Sequence, residues 1–187
     1  MYDRIRYMRY KQHLNNKEIY EIENFITDKQ INQLLCFVNL NDNDEWFYHN
    51  PGSVMAIIQD DKKKNFNKIL KKIEKSIYPY FINANKYVGL HWVKRLKSGE
   101  SMGMHTDLGP NNNNNEMVFG IVIYLNDNFE GGELYYNELD YKIKPKKGSL
   151  VVHKSTYAHE VLTITKGERY FITCFVWGNE ETKFIFK

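Results

Sequence analysis

From Tyr87 onward the chain is cut into short β-type runs by turn signals, and this punctuation constrains the fold more than any other feature. The runs are YVGLHWVKRL, EMVFGIVIYLN, GELYY, YKIK, SLVVH, AHEVLTIT, RYFITCFVW and KFIFK, with SG, GP, NDN, GG, PKKG and TKG between them. Many short strands at such spacing predict an antiparallel sandwich or barrel.

Upstream the periodicity changes. Thr27 or Asp28 caps a helix expected over about 28–39, with Ile31, Leu34, Leu35 and Val38 at helical spacing. A second helix is expected from about Lys62 to Phe81, with Phe66, Ile69, Leu70, Ile73, Ile77 and Phe81 forming one stripe. Lys64, Lys68, Lys71 and Lys75 lie off the stripe and read as its solvated face. Residues 19–25 and 54–58 read as strands, 39–50 as a polar turn region, and the first 17 residues as an arm or first strand. The fold class is therefore mainly β with N-terminal α-helices covering one face of a sheet.

A chain of 187 residues with 42% apolar and 15% aromatic residues buries a core and is no disordered segment. It holds no apolar run of 18 residues, so no membrane partner is expected. The N-terminus shows no apolar signal segment, and a cytoplasmic location is the expectation. Two cysteines, Cys36 and Cys174, exclude a disulfide framework or a four-cysteine zinc site. The net charge of +3 comes from lysine rather than from the five arginines, which argues against nucleic acid as a partner.

Six histidines are available: His13, His49, His91, His105, His153 and His159. His105 and Asp107 share one face of an extended segment, about 7 Å apart at Cα, so imidazole and carboxylate can converge on one metal ion. A third ligand lies further along, and spacing leaves His153 and His159 both open. Two histidines plus one carboxylate make the facial triad of non-haem Fe(II) oxygenases. The helical HExxH of hydrolytic zinc sites is absent. Arg169 heads the strongest strand, on the face of Phe171, Thr173, Phe175 and Trp177, where a guanidinium needs an anionic partner.

HTD (105–107), YLND (124–127), GGEL (131–134), PKKGSLVVH (145–153), HEV (159–161) and GERY (167–170) occur in this order. Over roughly 87–178 the chain thereby resembles the 2-oxoglutarate/Fe(II) dioxygenase superfamily, in its prolyl 4-hydroxylase-like branch. The resemblance implies a double-stranded β-helix, the jelly-roll, cupin-like core, with strands at 117–125, 149–152 and 170–176. It divides the chain into a support segment (1–86), the dioxygenase segment (87–179) and a C-terminal strand (180–187).

The resemblance makes His159 the third metal ligand beside His105 and Asp107, and leaves His153 as a packing residue near the site. Arg169, ten residues past His159, takes the basic position that binds the distal carboxylate of 2-oxoglutarate. Tyr124 and Leu134 take positions that line the cosubstrate pocket. Leu96 stands nine residues before His105, where many relatives carry Tyr. The implied cofactors are Fe(2+), 2-oxoglutarate and O2, with L-ascorbate among them. The implied reaction hydroxylates a substrate C–H, with succinate and CO2 released, on a peptide or protein partner and foremost on a peptidyl proline. A free amino acid or a nucleobase as substrate, and a non-catalytic metal-binding jelly roll, are the alternatives. The run Asn111–Asn115, just past Asp107, is expected to be either a surface insertion or a lid.

Overall fold

The computed structural model describes residues 8–15, 17–38, 46–50, 53–56, 58, 60–88, 92–108 and 116–186. In chain order it runs β1 (Arg9–Gln12), β2 (Ile19–Glu23), α1 (Asp28–Leu35), β3 (Trp46–Asn50), β4 (Ser53–Ala56) and α2 (Asp60–Ile77). There follow β5 (Phe81–Ile82), β6 (Lys86–Val88), β7 (Lys94–Lys97), β8 (Met102–His105), β9 (Glu116–Tyr124), β10 (Glu130–Gly131) and β11 (Leu134–Tyr136). The chain closes with β12 (Tyr141–Ile143), β13 (Leu150–Lys154), β14 (His159–Val161), β15 (Ile164–Lys166), β16 (Glu168–Gly178) and β17 (Lys183–Phe184).

Both helices form where the periodicity places them, with different ends. Thr27 caps α1 through a capping box with Gln30, whose amide N–H donates to Thr27 Oγ1 at 3.2 Å. The second helix stops at Ile77 rather than at Phe81, and Tyr78–Tyr80 tighten into a 3₁₀ turn. Pro79 is the cause, since it lacks the N–H that the next helical turn needs. The expectation of a turn region over 39–50 is corrected at its end. Trp46–Asn50 is strand β3, paired antiparallel with β4. Its aromatic, β-favouring run WFYHN outweighs the polar stretch before it.

The large sheet has the order β1-β2-β13-β9-β16-β7-β4-β3, with β6 also on β16. The smaller sheet has the order β12-β11-β14-β8. Alternation along β9, β13 and β16 splits the core in two. Ile121, Ile123, Leu150, Val152, Tyr170, Ile172 and Cys174 turn outward to the apolar stripes of α1 and α2. Val122, Tyr124, Val151 and Phe171 turn inward, where they meet Leu134, Tyr136, Ile143 and Val161 of the smaller sheet. The jelly-roll core with helices on one face is thus observed, and the space between the sheets is where a ligand pocket can form.

A second polar group is buried at the rim of this layer. His13 Nε2 lies 3.0 Å from Glu21 Oε2, and its Nδ1 lies 3.0 Å from Tyr141 Oη. Burial pushes the Glu21 carboxyl up, but the His13 hydrogen bond and Lys146 bring it below its ordinary value. No helix among the described residues is long and apolar enough to cross a membrane.

Candidate metal centre and its pocket

Strands β8 and β14 pair so that His105 and His159 are direct Cα partners. Residues opposite each other on antiparallel strands share a face, and the two rings stand 4.4 Å apart at their centroids. Each Nδ1 is taken up by a backbone carbonyl, His105 by Gly103 O at 2.7 Å and His159 by Tyr157 O at 2.9 Å. That fixes both rings and leaves both Nε2 atoms free to face a metal. Asp107 follows β8 by two residues and is held by its own amide, which donates to Ser155 O at 3.0 Å. One ligand atom from each of His105, Asp107 and His159 falls within 4.8 Å of the others.

His153 is closer to this cluster than packing requires. Its Nε2 lies 2.9 Å from Asp107 Oδ2, and its Nδ1 lies 2.6 Å from Tyr136 Oη. Burial pushes the Tyr136 hydroxyl well above its ordinary pKa, so it stays protonated and donates to Nδ1. Nε2–H then donates to the carboxylate. The result is a directed chain, Tyr136 to His153 to Asp107, that holds one carboxylate oxygen and leaves Oδ1 toward His105, 3.8 Å away. Gly120 makes room for it. A Cβ at that position would collide with Asp107 Oδ2 and come within 2.5 Å of His153 Nε2.

The electrostatics suit metal ligation. Burial would raise the Asp107 carboxyl, but the hydrogen bond from His153 and the neighbouring imidazoles bring it below the ordinary aspartate value. Burial and His153 push His159 down to about 3, against the opposing pull of Asp107 and the Tyr157 carbonyl. Asp107 is therefore ionised and His159 neutral at physiological pH, the states a metal requires.

Arg169 enters from the large sheet, 1% exposed. Its Nη1 donates to Gly132 O at 3.1 Å, and its guanidinium lies over Phe171 at 4.6 Å and Tyr124 at 5.0 Å. Among the described residues, Arg169 Nε and Tyr124 Oη are buried with no hydrogen-bond partner. Burial, opposed by Arg169, pushes the Tyr124 hydroxyl up to about 12, so it too is a donor. Unsatisfied buried donors are rare and costly, and both belong to one stacked pair of side chains. Leu96 is the Cα partner of Arg169 and has no polar atom to add.

A cavity of about 230 Å³ joins the two ends, lined by His105, Asp107, His153 and His159 on one side and by Leu134, Phe171 and Arg169 on the other. Tyr124 stands behind it under the guanidinium. His105, Asp107, His159, Arg169 and Leu134 thus share one cavity wall, whereas Tyr124 is off that wall and meets it through the Arg169 guanidinium. Reading the sequence missed the chain through Tyr136 and His153. Its one local trace was Gly120, a glycine inside an aliphatic strand, which marks close approach of another group. His91 and Asn111–Asn115 lie outside the described residues.

The donor set of two imidazole nitrogens and one carboxylate oxygen, with the cavity opening beside it, fits Fe(II) with positions left open. Comparison with known proteins agrees. The family described as the 2OG-Fe(II) oxygenase superfamily matches residues 91–177. A PKHD-type hydroxylase of Prochlorococcus marinus is 28% identical over 96% of this chain and 84% of its own. A Trichoplax adhaerens prolyl hydroxylase, solved with a hypoxia inducible factor peptide fragment, superposes with TM-score 0.60 at 21% identity, over 87% of this chain and 84% of that one. A viral collagen prolyl hydroxylase from Paramecium bursaria Chlorella virus-1, solved with 2OG, superposes with TM-score 0.56 at 19% identity, over 88% of this chain and 98% of that one.

Proposed function

We propose, for a chain whose residues 91–177 match the 2OG-Fe(II) oxygenase superfamily, that His105, Asp107 and His159 hold the iron and that the substrate is a peptidyl proline. The observation that carries the metal assignment is the convergence of these three side chains on one cavity that ends at a buried arginine. Arg169 and Tyr124 bind the distal carboxylate of 2-oxoglutarate, since both carry buried donors without partners. Such charge-assisted hydrogen bonds contribute roughly 1.5–3 kcal/mol each. Bound iron and 2-oxoglutarate together activate O2 and supply the oxidising equivalent that turns a substrate C–H into C–OH, leaving succinate and CO2.

The protein's own share is positioning. The carbonyls of Gly103 and Tyr157 hold the imidazoles, His153 holds the carboxylate, and Leu134, Phe171 and Val161 keep the cavity wall apolar. Asp107 supplies an oxygen ligand where a halogenase leaves the position to halide, which favours hydroxylation. The prolyl substrate rests on the prolyl hydroxylases that share this fold, one of them solved with a peptide fragment. L-ascorbate is included as an accessory.

The test is a mass-spectrometric screen of proline-rich peptides and cell extract with iron, 2-oxoglutarate and ascorbate supplied. A +16 product on a prolyl peptide, lost in His105→Ala, is the expected result. Succinate formation with +16 on another substrate class would overturn the prolyl part. Absence of both products would overturn the reading of the site.

A further inference from the structure

Among the described residues, Lys94 is the one charged side chain on the pocket wall that the reading above does not use. It belongs to β7, and its Cα partner on β16 is Phe171. It therefore faces between the sheets, as Phe171 does, and two residues along the same ladder Leu96 pairs with Arg169. Lysine and arginine thus project from neighbouring strands into one layer, one pleat period or about 7 Å apart along the strands. Lys94 is 7% exposed and lines the same cavity as Arg169 and the three metal-ligand candidates. Among the described residues, its ammonium has no hydrogen-bond or ion-pair partner in the structure. Along β16 the metal end is marked by Phe175, whose partner Gly120 lies against Asp107 and His153, so Lys94 opposite Phe171 stands one pleat closer to that end than Arg169 does. Burial pushes its pKa down, and the carboxylate of Asp107 pulls it back. Leu96 and Phe171, on the same face, are buried and apolar. A buried ammonium among them is costly unless an anion compensates it.

We propose that Lys94 binds the C1 carboxylate of 2-oxoglutarate, so that the pocket holds the cosubstrate by a cation at each end, Lys94 at the metal and Arg169 at the base. This rests on the reading of the pocket as a 2-oxoglutarate site. It gives the pocket a preference for a 2-oxo dicarboxylate that Arg169 alone does not provide.

The experiment compares 2-oxoglutarate with 2-oxopentanoate, which keeps the C1 carboxylate and keto group and lacks the distal carboxylate. Both are titrated into Zn(II)-loaded wild type, Lys94→Met and Arg169→Met, with binding followed by calorimetry or ligand NMR. Lys94→Met should weaken both ligands by the same factor, roughly ten- to a hundredfold. Arg169→Met should weaken 2-oxoglutarate and leave 2-oxopentanoate unchanged. Lys94→Gln, which keeps the stem and loses the charge, should match Lys94→Met, and both should unfold no earlier than wild type. Unchanged 2-oxoglutarate affinity in folded Lys94 variants overturns the proposal. So does a loss confined to 2-oxoglutarate, which would place Lys94 at the distal carboxylate. Wild type that binds neither ligand overturns the underlying reading as well.

Discussion

His153 donates through Nε2 to Asp107 Oδ2 at 2.9 Å, although the two residues are 46 positions apart. The contact ties a strand of the large sheet to the metal-binding end of the smaller one. It also explains a polar residue at 3% exposure in the strand LVVHK. His153→Ala should keep the metal but weaken it about ten- to a hundredfold, because the carboxylate loses its orienting partner. Tyr136→Phe should act in the same direction and less. A competition titration against a chromophoric chelator reads both. A loss in His153→Ala as complete as in His159→Ala would make His153 a ligand.

Gly120→Ala should be worse for metal binding than His153→Ala. The added methyl strikes Asp107 and His153 together, and neither can retreat while the other holds its place. Overpacking of this kind costs about 1–3 kcal/mol of stability. Thermal unfolding and the chelator titration measure the two effects separately, and wild-type behaviour in both would refute the steric argument.

Arg169→Ala should leave iron bound and weaken 2-oxoglutarate by roughly thirtyfold to several hundredfold, about 2–4 kcal/mol. Tyr124→Phe removes a hydroxyl that has no partner without ligand. It should therefore leave the ligand-free stability unchanged or slightly raised while still weakening 2-oxoglutarate. A Tyr124→Phe protein with full affinity would show that the hydroxyl does not reach the carboxylate.

Acid should destabilise the metal-free protein through His159. Its pKa is about 3 in the folded chain and 6.5 as the ordinary value. Between these values the unfolded chain binds the extra proton, so stability rises with pH across the window. The contribution is complete above about 6.5 and declines as pH falls toward 3. His159→Gln, which cannot take up a proton, should lose less melting temperature than wild type between pH 7.5 and pH 5. Equal slopes in the two proteins would count against the burial argument.

Most of the architecture is legible locally. Alternation in EMVFGIVIY and RYFITCFVW sorts the residues onto two faces, and the structure turns one face to the helices and the other to the pocket, with a register shift at Val176/Trp177. The stripes of α1 and α2, the capping box at Thr27 and the stop at Pro79 are likewise properties of neighbouring residues. HTD alone was ambiguous, and the ordered motifs around it carried the assignment to a family.

Sequence by itself therefore determined the element types and the alternation of the long strands, and through the ordered motifs it proposed His105, Asp107, His159 and Arg169 as a set. Tertiary structure alone decided how they meet. The pairing of His105 with His159 depends on the register of β8 against β14, across a bulge. The place of His153 depends on its ladder position beside Gly120, and that of Lys94 on pairing with Phe171. Register between strands distant in sequence is fixed by burial and backbone pairing summed over whole sheets. A one-residue slip would turn Lys94 and His153 to the opposite face without changing any local propensity, so no local reading of the chain distinguishes the two arrangements.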